Sequence, residues 1–148
     1  MIRDNIRNPE TGKWTTVDRE PTAEEQAQID TDLLEGAASQ AKSTVYNGFN
    51  AALNGQITYN GAQFDNRVDS RADLNGVLTN VLNGVTLPTG FAWRDANNVD
   101  HPFVVDDLKA LAELMLSNQW AAHAQKRALL AQWEAAETVE EYEAIQWS

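Results

Sequence analysis

The sequence predicts an α+β fold: a long N-terminal helix, then a small antiparallel sheet of two β-hairpins packed with a short helix, one long helix and a short C-terminal helix. Three observations carry this expectation. Thr22 with Glu25, and Thr138 with Glu141, have the spacing of a capping box ahead of apolar-periodic segments. Asn60-Gly61 sits between "QITY" and "AQFD", and both residues tolerate the positive φ of a two-residue hairpin turn. "FAWRD" and "VDHPFVV" flank "ANN" with the apolar/polar alternation of paired, half-buried strands. At 148 residues the chain is long enough for one domain with a core.

Residues 1–21 read as an extended arm. Pro9 and Gly12 surround a turn, Pro21 closes the segment, and Trp14 is its largest apolar group. The helix of residues 22–54 follows, capped by Thr22. Within it Leu34, Ala38, Ala41, Val45, Gly48 and Ala52 are spaced 4-3-4-3-4, a narrow seam of mostly small residues suited to a partner helix. Ile29, Leu33, Ala37 and Phe49 lie off the seam and widen the apolar surface. The seam fits packing on the rest of the domain or self-association and attachment to another chain.

Residues 55–148 read as a compact α+β unit. After the Asn60-Gly61 hairpin, "DSRADLNGVLTNVLNGV" predicts a helix capped by Ser70 with Asp73 at the box position, burying Leu74, Val77, Leu78, Val81 and Leu82, and ending at Gly84. The second hairpin turns at Ala96–Asn98, and Pro102 favours an edge position for its return strand. Together the hairpins supply up to four strands. The longest helix, from about Asp106 to Ala136, is capped by Asp106 or Asp107. Its inner stripe is Leu108, Leu111, Ala112, Met115, Ala122, Leu129 and Trp133, interrupted by Gln119 and Lys126. A second edge carries Leu116 and Trp120 with His123 and Arg127.

Charge and chemistry narrow the function. The formal charge of −11 repels phosphate backbones and anionic lipid surfaces, so neither nucleic acid nor membrane is an expected partner. "MIRDNIRNPETGKW" has charges and no apolar run, so it reads as neither a signal peptide nor an anchor. With no Cys there is no thiolate nucleophile or thiolate metal site. His101 and His123, the only imidazoles, lie on different elements without the spacing of a zinc site. No Gly-x-Ser-x-Gly elbow, phosphate loop or dinucleotide fingerprint occurs. Asp95, Asn97, Asn98 and Asp100 read as turn residues. No catalytic, cofactor-binding or metal-binding residue is therefore expected, and the protein reads as a non-enzyme.

"ITYNGAQFD", "SRADL", "LPTGFAWRDANNVDHPFVVDDLKALAELM" and "AAETVEEYEAIQW" resemble a domain of unknown function common in bacteriophage tail proteins, among them tail-fibre and tail-fibre-assembly proteins. The resemblance covers about residues 55–148, and its most specific part is the Trp93–Asn98 turn followed by Asp107-Leu108. It implies a virion tail setting after synthesis in the host cytoplasm, and contact with a tail-fibre or baseplate protein. It further implies a structural part of the particle or a chaperone of fibre assembly. Because fibres are generally trimeric, a homotrimer around the helical seam is one arrangement it suggests. Of the five Trp residues, Trp93 and Trp133 read as core. Trp14, Trp120 and Trp147 read as partner-binding, with Leu116 and the seam residues Leu34, Ala38, Ala41 and Val45. Two alternatives stand beside this reading: a small acidic inhibitor that mimics DNA and binds a host protein, and a carbohydrate-binding fibre tip.

Overall fold

The computed structural model describes residues 1–148. It has the expected α+β architecture, with one hairpin more than the sequence predicts. The arm of residues 1–21 folds back on itself as strands β1 (Ile2–Arg7) and β2 (Trp14–Arg19), paired from Ile2↔Arg19 to Arg7↔Trp14. Its turn is tied by Asn8, whose side-chain oxygen accepts the Glu10 and Thr11 amides, and by Gly12 at φ +67°.

Helix α1 (Ala23–Asn54) starts at the capping box the sequence predicts: Thr22 Oγ1 accepts the Glu25 amide, and Glu25 accepts the Thr22 amide. Arg19 binds both carboxylate oxygens of Glu25 at 2.6 Å and one of Asp4 at 2.6 Å, joining the hairpin to the helix start. These contacts hold the Glu25 carboxyl at about 2, below its ordinary 4.5, with the Arg19 hydrogen bond the largest cause.

Strands β3 (Ile57–Tyr59) and β4 (Ala62–Phe64) turn at Asn60 (φ +49°) and Gly61 (φ +80°), the left-handed pair a type I′ turn requires. Helix α2 (Val68–Leu82) begins two residues before Ser70, and its N-cap Arg67 makes no side-chain capping bond. The expected Ser70–Asp73 box is thus absent. Contacts from Asn66 and Arg71 to the end of α1 fix the chain there instead. Strands β5 (Ala92–Arg94) and β6 (Asp100–Pro102) follow. The three hairpins stay separate two-stranded sheets, so the four-stranded sheet does not form. A single bond from the Ala96 amide to the Gln63 carbonyl links the second of the expected hairpins to the first.

Helix α3 (Val105–Ala135) starts with Asp107 accepting the Val104 amide at 2.9 Å and the Tyr59 hydroxyl at 2.8 Å. Helix α4 (Val139–Glu143) starts at the expected Thr138–Glu141 box. Helices α1 and α3 run antiparallel, as three rungs show. The Trp133 indole N–H donates to the Ala38 carbonyl at 2.8 Å, Phe49 meets the His123 ring edge-on at 4.9 Å, and the Asn118 amide donates to the Ala52 carbonyl at 2.7 Å.

Two apolar clusters are strung along α3. The first joins Phe64, Leu74, Phe103, Leu108, Leu111 and Met115. The second joins Ala41, Val45, Leu129 and Ile145, flanked by Trp133, Tyr142 and Trp147. Each fully buried large side chain contributes about 1.5–3 kcal/mol by leaving water. Lys126 and Lys42, polar positions on otherwise apolar faces, lay their ammonium groups over Phe49 at 4.2 Å and Trp133 at 4.3 Å. Since α3 ends level with about Gly36, the first turns of α1 extend past it, and no helix is long and apolar enough to cross a membrane.

Candidate functional site

The stretch richest in reactive side chains, Gly90–Phe103, is built around a buried carboxylate. Asp95, 8 % exposed, accepts the backbone amides of Asn97 and Val99 at 2.8 and 2.9 Å. Its second oxygen lies 2.9 Å from Nε2 of His101, across the strand pair. The Val99 amide, then the His101 contact, hold the Asp95 carboxyl below its ordinary range. Asn98 takes φ +63°, the left-handed turn conformation that Asn tolerates. On the outer face Arg94 grips Asp100 through two bonds of 2.7 and 2.9 Å. β6 pairs with β5 alone and so keeps the edge position that Pro102 favours, yet His101 on it is only partly exposed, its ring packed edge-on against Phe64.

A shallow polar hollow of about 320 Å³ opens beside this hairpin, lined by Asp65, Ser70, Asp73, Arg94 and Asp95 among others. Asp95 spends one oxygen on the amides of its own turn and the other on His101, while Arg94 and Asp100 pair with each other. His123, on α3, is occupied by Phe49, and neither imidazole gathers two further His, Cys or carboxylate side chains.

The side chains read as partner-binding fall into two sets. Ala41 and Val45 are buried in the second cluster, and Trp147 is half-buried against Phe49 and the Gly48 backbone. These three are corrected to core: α3 and the C-terminal segment occupy the seam from within the same chain. Ala38 is half-buried, with its carbonyl taken by Trp133. Leu34 is half-buried near the free end of α1. Trp14 and Trp120 remain 69 % and 67 % exposed, and Leu116 is exposed one turn before Trp120. Trp93 and Trp133 are half-buried against the first and second clusters.

Sequence reasoning missed two things. One is the Asp95–His101 bond, whose only signal was an Asp and a His six residues apart across a turn. The other is the groove of about 530 Å³ between α1 and α4, walled by Leu33, Ala37, Tyr142 and Glu143 among others. An apolar Leu33 off the seam was its one trace.

Comparison with known proteins adds one match. A family model described as a domain of unknown function, DUF4376, matches residues 28–146, from inside α1 through α4. No curated protein and no solved structure matches the chain. The match covers most of the chain and takes in every element from α1 onward, so the protein belongs to the DUF4376 family.

Proposed function

We propose that this chain is a non-enzymatic bacteriophage tail protein, associated with the tail fibre or receptor-binding apparatus as a virion component or a fibre-assembly factor. The observation that carries the reading is the uncovered pair Trp14 and Trp120, each about two-thirds exposed on an otherwise well-formed element. Leaving an indole in water forgoes the large apolar gain of burying it, and Trp is the residue most enriched at protein–protein hot spots. Trp120 with Leu116 offers one contact on α3, and the N-terminal hairpin with the free end of α1 offers another. The resemblance to phage tail domains over residues 55–148 supplies the setting.

The test is co-expression and co-purification with phage tail-fibre and baseplate proteins. The wild-type chain is expected to retain one of them, and Trp120→Ala to lose it while melting at an unchanged temperature. Capture of neither a fibre nor a baseplate protein would overturn the reading. Mass spectrometry of purified virions separates a permanent component from a departing chaperone. One observation favours the acidic-mimic alternative: from Glu20 to Glu35 α1 and its approach carry six carboxylates, with no Lys or Arg before Lys42. Displacement of DNA from a host protein by this chain would support that alternative instead. Trp93 packs half-buried on the first cluster and also lines the polar hollow beside its hairpin, and binding on a glycan array would support the carbohydrate alternative.

A further inference from the structure

We propose that the tip of the N-terminal hairpin of one copy docks in the groove between α1 and α4 of a second copy. The inference needs no fibre; it assigns Trp14 to a second copy and leaves Trp120 with Leu116 as the tail contact. It begins with a hairpin that lacks what such a unit needs. A two-stranded sheet standing alone is marginally stable in water. Here Ile6, Trp14 and Val17 are 53 %, 69 % and 42 % exposed, so neither face of the β1–β2 pair is covered. Trp14 is not seated in the groove of its own chain.

The tip has the composition of a contact anchor. Trp14 and Arg7 are cross-strand partners, and Lys13 adjoins them in sequence. Arg3 is paired with Asp18, and Arg19 with Asp4 and Glu25, but Arg7 and Lys13 form no ion pair. Residues 1–19 hold four cations (Arg3, Arg7, Lys13, Arg19) against three carboxylates (Asp4, Glu10, Asp18). The remainder holds seven cations against nineteen carboxylates. The hairpin is thus a net-positive terminal segment on a strongly acidic protein.

The groove is its complement. Its lining includes Gly36 and Ala37, which carry little or no side chain, the apolar Leu33 and Tyr142, and the acidic Glu143. Its volume of about 530 Å³ accommodates an indole. Around it α1 bears the cation-free acidic run, and α4 and its approach bear Glu137, Glu140, Glu141 and Glu143. Direct α1–α1 pairing over the same residues sets carboxylate against carboxylate, whereas the hairpin brings the opposite charge. Tip-to-groove contact joins two different patches, so it closes as a reciprocal two-fold pair or a three-fold ring.

The experiment is sedimentation of the full chain from sub-micromolar to sub-millimolar concentration. A dimer or trimer is expected, weakening as salt is raised. Trp14→Ala is expected to raise the dissociation constant by about tenfold or more. Arg7→Glu with Lys13→Glu is expected to abolish association, and Glu140→Lys with Glu143→Lys on the mixing partner to restore it. At a dilution where wild type is monomeric, thermal melts of the hairpin variants should match it, since those side chains lie outside both clusters. Three results would each overturn the proposal. One is a monomer at every concentration, and another is an oligomer indifferent to these hairpin substitutions. The third is a cross-link from residue 14 to the groove within a single chain. A monomer that still captures a fibre would sink this interface and leave the tail reading standing.

Discussion

Gly48 lies in the middle of α1, where glycine is normally unfavourable, and the reason for it is the indole of Trp147. A Cβ built on Gly48 overlaps the Cβ, Cγ and Cδ2 of Trp147, far inside van der Waals contact. Gly48→Ala therefore sets two effects against each other. Replacing a mid-helix glycine gains about 0.5–1 kcal/mol of backbone entropy and propensity. Forcing a methyl into occupied space costs about 1–3 kcal/mol, and here the obstacle is a ring held by Phe49 and the second cluster rather than a free side-chain end. Overlap wins, for a net loss of about 1–2 kcal/mol, or about 3–6 °C in Tm for a domain of this size. Gly76, in α2, has nothing within 4 Å of its built Cβ. Gly76→Ala should accordingly stabilise by about 0.5–1 kcal/mol. Urea unfolding followed by circular dichroism, with calorimetry for Tm, reads both. Combining Gly48→Ala with Trp147→Leu should cost less than the two changes summed, because they relieve each other. A Gly48→Ala protein as stable as wild type would refute the tight seating of the C-terminal segment on α1.

Arg19→Ala should let the Glu25 carboxyl rise from about 2 toward its ordinary 4.5, with the Thr22 amide keeping it somewhat lower. Because that carboxyl is depressed in the folded protein, its contribution to the hairpin–helix junction is complete above about pH 4.5. It is lost as pH falls toward about 2, and carboxyl NMR titration follows both the window and its disappearance in the variant. Asp95→Asn should speed hydrogen exchange at Asn97 and Val99. In wild type the same protection should hold at neutral pH and fall only below the ordinary carboxylate range, since this carboxyl too is depressed. Trp133→Phe removes the 2.8 Å bond to the Ala38 carbonyl and weakens the Lys42 contact, and should lower urea stability by about 1–2 kcal/mol.

Local chemistry was legible in the sequence wherever it is self-contained. The Thr22–Glu25 and Thr138–Glu141 boxes and the Asn60-Gly61 turn involve residues within four positions of each other, and each forms as the pattern predicts. The start of α2 was misread because Ser70 and Asp73 compete with a tertiary anchor. Arg71 reaches the carbonyls of Leu53 and Asn66, and Asn66 also binds Leu53, so the helix begins where those contacts hold it. The spacing of Ala38, Ala41 and Val45 announced a partner helix correctly, yet periodicity cannot distinguish a helix of the same chain from one of another. Here α3 fills that role. Asp95 looked like an ordinary turn residue because the His101 bond depends on strand register, which composition does not encode.

Helix α1 lives under two mechanical regimes. From Ala38 to Leu53 it is bolted down by the Trp133, Phe49 and Asn118 rungs and by the Arg71 clasp. From Ala23 to Asp32 it is held by bonds within the helix, the Thr22–Glu25 box and the Arg19 clamp. Tension applied through the hairpin would uncoil that first part well before the bolted part yields. Passing from about 1.5 to about 3.4 Å per residue over about ten residues releases roughly 20 Å of slack. A load on the N-terminus is thereby absorbed as length, and the clusters along α3 are spared.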